Sequence, residues 1–482
     1  MSRRNRIYFR ADASAVIGYG HFFRTIALAS MLRDEFECHL FLHDPTPLQL
    51  KEAEKVCAVT ALKDRFDDFL TYLDGTETVV LDNYFFTPQY QLSISQKGCT
   101  LVCIDDIHDR LFYADVIINH GFASKTQYST ASDTIFCLGA KWALLRPEFL
   151  QPVPDTAKRD GITICFGGGD PLGLTDRFYN IVREELPQTT VRAIKGASLN
   201  ASQMAEIFRS SEICILSASS VCYEALSCGA RVAAGWYVDN QKDFYEGLVS
   251  HGLVTPLGYI AERIPDRISL INALKRTSTP ADRSFMPVKE TPELFRTLFR
   301  TLTAGGVTAE DFRKDYTIDG LRFVNYIHLD ESRKMEILEY RNHPEVRRWM
   351  CSTDVIPLRN HLDYIESLKT RDDAFYWAVF NEDGMCGGIS LTALKDNTAD
   401  EGIFLNPAMT GRGLGTRITR ASFKLYFSLL GLNRIYSLVH KDNTAALNMD
   451  RKTGYSTGPA ENGFVTIELT RRDWIENIPC GK

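Results

Sequence analysis

The chain contains no Cys-x-x-Cys pair, no apolar run near the ~18 residues that span a bilayer, and no surplus of positive charge. Its twelve cysteines are scattered, and Cys99 and Cys103 lack neighbouring ligands for a zinc site. They are expected to be small buried side chains in a reducing cytosol. Lys and Arg total 55 against 61 Asp and Glu, a formal charge of −6, which excludes a global nucleic-acid footprint. The opening MSRRNR is basic, but IYFRADAS breaks any apolar signal core, so a cytoplasmic location without membrane attachment is expected. No repeat of ~20–50 residues and no low-complexity tract is evident.

What is present is ordinary globular material. Apolar residues make up 44% and charged residues 24% of 482, enough for about three domains. From RIYFRAD onward, short apolar runs (CHLFL, TVVLD, TLVCID, DVIIN) end in Asp, Asn or His and alternate with helical segments such as FFRTIALASMLR. That alternation predicts a parallel sheet over residues 1–150. Three prolines between Pro147 and Pro154 interrupt it. GITICFGGGD then starts a second doubly wound unit over 155–300, and two such units would leave a cleft between their strand ends. The stretch 301–318, with Gly305-Gly306, reads as a linker or docking segment. A mixed α/β domain follows over 319–482.

In the first unit, Asp12 to His21 follows a strand and opens a helix, with Gly18 and Gly20 in the turn. Glycines let the backbone approach a phosphate or sugar, and a neutral imidazole at His21 can accept a proton near pH 7. A tight turn with a capping histidine fits the spacing equally. In the second unit, Gly167, Gly168 and Gly169 after a strand form another close-approach loop, or a plain turn. Ser219 and Ser220 open a helix and can bond phosphate oxygens, and Glu224 one turn on can accept ribose hydroxyls or face solvent. Asn240 and Gln241 offer amides to a pyrophosphate or sugar, or belong to a surface turn. Asp82 and Asp105 are further strand-end candidates.

Together these loops resemble those of the UDP-sugar hydrolases of pseudaminic acid biosynthesis. The resemblance runs over about residues 5–290. It rests on RADASAVIGYGHFFRTIALA, the run Ala143-Leu144-Leu145-Arg146-Pro147-Glu148-Phe149, the triple-glycine loop, the serine-led helix and the Asn-Gln pair. It implies the glycosyltransferase-B fold and metal-independent release of UDP from a 2,4-diacetamido-2,4,6-trideoxy sugar with inversion. His21 would activate the water, Arg146 contact the substrate, Glu224 hold the ribose, and Asn240 touch the nucleotide sugar. Asp12, Gly20, Gly167, Gly168, Ser219, Ser220 and Gln241 complete the expected substrate site. A transferase of the same fold remains open, because fold alone does not settle the reaction.

In the last domain, a strand through Glu401–Leu405 runs into Gly411-Arg412-Gly413-Leu414-Gly415-Thr416 and a helix. Successive N–H groups in such a turn suit a pyrophosphate, to which Arg412 adds charge. With Asn443, Ala446 and Lys452-Thr453-Gly454-Tyr455, and with RNHPEVRRWM and YWAVFNEDGMCGGISL, this resembles the GNAT acetyltransferases, in particular those acting on UDP-4-amino sugars. The resemblance implies acetyl-coenzyme A as co-substrate. Phe404, Leu405, Gly411, Arg412, Gly413, Gly415, Thr416 and Asn443 would lie on the cofactor side. Two departures stand out: Thr410 where the family usually has Gln or Arg, and Asp450 where it often has a tyrosine acid. Glu401 is the candidate base through a water, or one half of a cross-strand charge pair. Tyr455, or a water, is the candidate acid. His343 and His440 are expected to be structural or substrate-side.

The expected fold class is therefore α/β, two tandem Rossmann-like units followed by a GNAT α/β domain. The two halves fit consecutive steps: acetylation of a UDP-4-amino sugar, then hydrolysis. The altrose-type sugar and its legionaminic-pathway counterpart, a transferase with a degenerate acetyl-coenzyme A module, and the oligomeric state are left open by sequence.

Overall fold

The computed structural model describes residues 6–14, 18–131, 133–151, 159–167, 170–195, 199–262, 265–277, 290–304 and 307–478. Compactness divides the chain into a unit through Arg296 and a second from Thr297 to Ile478.

The first unit holds two large parallel sheets and a two-stranded one that pairs Leu111–Phe112 with Ser129–Thr130. Strands β1 (Arg6–Arg10), β2 (Glu37–His43), β3 (Ala58–Leu62), β4 (Thr78–Leu81), β5 (Thr100–Ile104), β6 (Val116–Asn119) and β7 (Ile135–Leu138) pair in the order β3-β2-β1-β4-β5-β6-β7. Every pairing in this sheet is parallel. The order reverses between β1 and β4, and the crevice at their carboxyl ends is where doubly wound sheets take ligands. Helix α1 (Gly20–Leu32) begins at that crevice.

The second sheet comprises β8 (Asp160–Cys165), β9 (Val191–Ala193), β10 (Ser211–Ser217), β11 (Arg231–Trp236) and β12 (Thr255–Tyr259), in the order β9-β8-β10-β11-β12. Its central strands are apolar on both faces. In β10, Ile213 and Ile215 pack with Phe166 and Phe178, while Cys214 and Leu216 pack with Phe208 and Tyr223. Strand side chains alternate between faces, so burial on both sides requires such an unbroken apolar run. Helix α2 (Ser220–Ser227) leaves the carboxyl end of β10, again beside the order reversal.

The second unit is an eight-stranded, mostly antiparallel sheet. Its strands are β13 (Tyr316–Ile318), β14 (Leu321–Asn325), β15 (Phe375–Asn381), β16 (Gly384–Lys395), β17 (Thr398–Leu405), β18 (Arg434–His440), β19 (Ser456–Glu461) and β20 (Phe464–Thr470). They run β13-β14-β15-β16-β17-β18-β20-β19. Strands β17 and β18 pair in parallel only through Asp400 and Tyr436, then part. Helix α3 (Glu331–Asn342) packs on β16, helices α4 (Leu414–Phe423) and α5 (Thr444–Thr453) pack on each other, and a π-helical turn over Lys424–Leu429 follows α4.

The stretch expected as a linker, 301–318, carries a helix at Ala309–Arg313 and strand β13; Gly305 and Gly306 lie outside the described residues. Asp319 and Gly320, both at positive φ, turn β13 into β14. An Asp-Gly pair between apolar residues is the hairpin signal that marks this strand. Described cysteines are free, and all but Cys57 and Cys351 are buried. No helix among the described residues is long and apolar enough to cross a membrane.

Candidate active sites

A cavity of about 840 Å³ opens at the carboxyl ends of both sheets of the first unit. Gly18 lies at φ +86°, a conformation that side chains disfavour, and its N–H closes a turn onto the Ser14 carbonyl. That turn delivers His21 to the cavity in the first turn of α1. His21 Nδ1 lies 2.7 Å from Asp82 Oδ1 and 3.1 Å from Arg24 Nη2. Only the carboxylate can accept, so Nδ1 carries the proton and Nε2 is the basic nitrogen. Asp82 is wholly buried. Burial alone raises its carboxyl; Arg24 and His21 overturn that and hold it at about 2. Arg24 donates to both Asp82 oxygens at 2.6 Å and to Asp106 at 2.8 Å. Tyr84 donates to Asp106 at 2.8 Å, and its ring meets His21 edge-on at 4.5 Å.

From the second sheet, Gly167, Ser219, Ser220, Glu224, Asn240 and Gln241 line the same cavity as Gly20, His21 and Arg146. Arg146 Nη2 bonds Glu224 Oε1 at 2.8 Å, and its guanidinium lies over Phe23 and Phe149. Burial raises the Glu224 carboxyl against the pull of Arg146. Asn240 reaches Tyr84, and Gln241 accepts from the Tyr237 N–H. Gly168 lies outside the described residues.

Asp12 does not join them. Its carboxylate is taken up by Arg10, Arg65 and the His43 N–H, so it clamps β1 to its neighbours. Asp105 is likewise used by the N–H groups of Ile107 and His108. Sequence reasoning missed Arg24, Tyr84, Asp106 and the buried His120. Arg24 was legible in principle, one helical turn from His21.

In the second unit, the turn before α4 holds Gly411 and Gly413 at φ +80° and +76°, and no atom stands within 4 Å of a Cβ built at either. Gly413 caps α4, so the N–H groups of Leu414, Gly415 and Thr416 open its first turn. Gly415 passes so close to Met449 that a Cβ there would meet Sδ at 2.9 Å. Arg412 is exposed beside this turn, and Phe404 and Leu405 are half-buried at the end of β17. These residues fit a pyrophosphate-bearing acyl carrier. Asn443 is engaged locally: its Oδ1 caps α5 by accepting from Ala446 N. His343 likewise caps a helix, and His440 meets Phe464 edge-on and lies tilted against Trp349.

Glu401 is the first residue of β17 beyond its pairing with β18, and it is 4% exposed. It accepts a hydrogen bond from Tyr455, so the cross-strand charge pair is not what forms. Burial raises Glu401 to about 7, a shift the Tyr455 hydroxyl opposes and Asp450 reinforces. Burial also raises Asp450 to about 7 and the Tyr455 phenol well above its usual value. An Asp450 carboxyl so raised holds its proton more tightly than an exposed one. On α3, the half-buried Arg341 has no carboxylate partner among the described residues, and its Nη1 is enclosed without a hydrogen bond. No group of three metal-ligating side chains occurs among the described residues.

Residues 327–456 match a family model described as an acetyltransferase (GNAT) domain. A UDP-2,4-diacetamido-2,4,6-trideoxy-beta-L-altropyranose hydrolase of Campylobacter jejuni is 25% identical over 282 residues, 51% of this chain and 97% of its own. The acetyltransferase PseH of the same species is 24% identical over 153 residues, 32% of this chain and 96% of its own. An uncharacterized protein of Methanocaldococcus jannaschii is 24% identical over 279 residues, and the chain spans 57% of its length. The chain thus joins a region homologous to a UDP-sugar hydrolase to a C-terminal GNAT acetyltransferase domain.

Proposed function

We propose that the chain performs two consecutive steps on one nucleotide sugar. The second unit transfers an acetyl group from acetyl-coenzyme A to the 4-amine of a UDP-4-amino-2-acetamido-trideoxyhexose of the altrose type. The first unit, in a glycosyltransferase-B arrangement, then hydrolyses the product to UDP and the free 2,4-diacetamido sugar of the pseudaminic acid route. Both steps are proposed to need no metal and to run in the cytoplasm.

The observation that carries the hydrolytic reading is the His21–Asp82 pair at the cavity wall. Nε2 takes a proton from water, and the water oxygen attacks the anomeric carbon from the face opposite the phosphate. The bond from that carbon to the phosphate oxygen breaks with inversion, UDP leaves as an anion, and His21 returns its proton to solvent. Asp82 stabilises the imidazolium as it forms, and Arg24 keeps Asp82 charged. Ser219, Ser220 and the N–H groups at the start of α2 receive the diphosphate. Arg146 and Glu224 hold the nucleotide end, with Asn240 and Gln241 beside them.

Acetyl-coenzyme A supplies an activated acetyl thioester. The 411–416 turn and β17 hold it, and Glu401 takes the proton that the amine loses. Arg341, which has no carboxylate partner among the described residues, supports an acceptor carrying a diphosphate. Mass spectrometry of products from the UDP-4-amino sugar, with and without acetyl-coenzyme A, tests the scheme. The expected products are UDP and the free diacetamido sugar only when the thioester is supplied. Retention of intact nucleotide sugar after complete acetylation would rule out the hydrolytic half.

A further inference from the structure

Where β17 and β18 part, the second unit encloses four polar atoms without a well-aligned hydrogen-bond partner among the described residues: Glu401 Oε1, Asp450 Oδ2, Tyr426 Oη and Ser422 Oγ. All four side chains are buried. They belong to one neighbourhood built from three elements. Glu401 is on β17, Asp450 on α5, and Ser422 and Tyr426 stand one turn apart across the passage from α4 into the π-helical turn. Tyr455 ties the elements together: its hydroxyl donates to Glu401, and its N–H donates to the Asp450 carbonyl at 3.0 Å. The Tyr426 hydroxyl stands beside both Glu401 and Ser422, and the Asp450 carboxyl acts on Glu401 through space.

An enclosed polar atom without a partner costs about 1–3 kcal/mol, which disfavours a dry pocket around the Asp450 carboxyl. Their number and chemistry suit enclosed water, which takes two to four partners. Two neighbouring buried carboxyls also resist ionising together. Besides burial, the groups that act most strongly on Glu401 are Tyr455, Asp450, Tyr426 and Asp400.

We propose that Glu401 and Asp450 form a proton-sharing carboxyl pair bridged by enclosed water, with Asp450 the positioning residue that sets when Glu401 can accept a proton. This rests on the acetyl-transfer reading given above. In that reaction the ammonium first loses a proton to become a free amine. Its nitrogen attacks the thioester carbonyl, the carbon–sulfur bond breaks, and the nitrogen loses a second proton. One proton ends on the coenzyme A sulfur and one is released. The pair, holding a single proton at rest, takes the released one through water at Glu401 and passes it on to solvent. A lone buried carboxylate would instead have to move between fully charged and neutral states at each turnover.

The test uses the full chain with Asp450→Asn, and Asp450→Glu as the conservative rescue. Acetyl-coenzyme A binding by calorimetry checks that the second unit, which carries Asp450, folds in each variant. The first readout is the infrared band of protonated carboxyl, titrated without acetyl-coenzyme A. Wild type should retain a protonated-carboxyl signal through neutral pH. Asp450→Asn should move the remaining titration to lower pH, and Asp450→Glu should restore it. The second readout is the pH profile of acetyl transfer. Its acid limb should shift downward by about one unit in Asp450→Asn, a tenfold change at a fixed acidic pH. Identical infrared titrations in wild type and Asp450→Asn would overturn the pair. If the pair titrates as expected while wild type transfers no acetyl group, the acetyl-transfer reading fails and the pair stands.

Discussion

Replacing Asp82 with Asn removes one charge from a network in which every bond has a direction. In the native chain His21 Nδ1 donates to Asp82 at 2.7 Å, and Arg24 spans both carboxylate oxygens at 2.6 Å. An amide at this position offers one acceptor and one N–H₂ donor. If its oxygen turns to Arg24, its donor group faces His21, and the imidazole moves its proton to Nε2. That nitrogen then cannot accept from water. In a hydrolytic triad the same exchange costs about four orders of magnitude in kcat. Part of that cost follows from losing the charge opposite the imidazolium, so about 100- to 10,000-fold is expected here. Stability should fall by less than the roughly 3–5 kcal/mol of a broken buried pair, because Asp106 still faces Arg24 at 2.8 Å. The assay is steady-state UDP release from the diacetamido nucleotide sugar. UDP binding by calorimetry confirms an intact cleft, and acetyl transfer by the other unit serves as an internal control. A kcat within about threefold of wild type, with UDP binding retained, would refute the assignment of Nε2 as the base.

Three further outcomes are expected. His21→Ala should abolish UDP release and leave acetyl transfer near normal; hydrolysis surviving within a few-fold would remove the imidazole from the mechanism. Gly413→Trp should block coenzyme A binding, since the residue sits at φ +76° and a ring would fill the turn; unchanged calorimetric affinity would displace the pyrophosphate from this loop. Stability should depend on pH in opposite senses in the two units. Asp82, held at about 2, contributes about 2–3 kcal/mol above its unfolded pKa, lost as pH falls toward 2. Glu401 and Asp450, raised to about 7, bind protons more tightly when folded, so the second unit should lose stability as pH rises through about 7. Denaturant titrations at pH 5 and 8 check the second sense, and an increase in stability of that unit with pH would contradict it.

Much of the fold was legible because it follows local rules. Apolar runs ending in Asp, Asn or His marked the strand ends, and glycines marked the turns where backbone approaches ligand. Strand β13 was missed because three residues carry no periodicity, although Asp319-Gly320 signalled its hairpin. His21, Arg146, Ser219, Ser220, Glu224, Asn240 and Gln241 were named from loops far apart in sequence, and the structure gathers them on one cavity. Asp12 sat in the same motif as His21 but faces Arg10, because the side-chain direction of a loop residue is set by what packs behind it.

By itself, the sequence determined which backbone turns stay open to an anion and which residue types stand at them, since glycine placement and helix starts are local properties. Only the tertiary structure decided the protonation chemistry. Asp82 comes sixty-one residues after His21 and Asp450 forty-nine after Glu401. How firmly each carboxyl holds its proton depends on the water excluded around it and the charges brought beside it. Both are produced by packing between distant segments, and neither is encoded in the neighbouring residues of the chain.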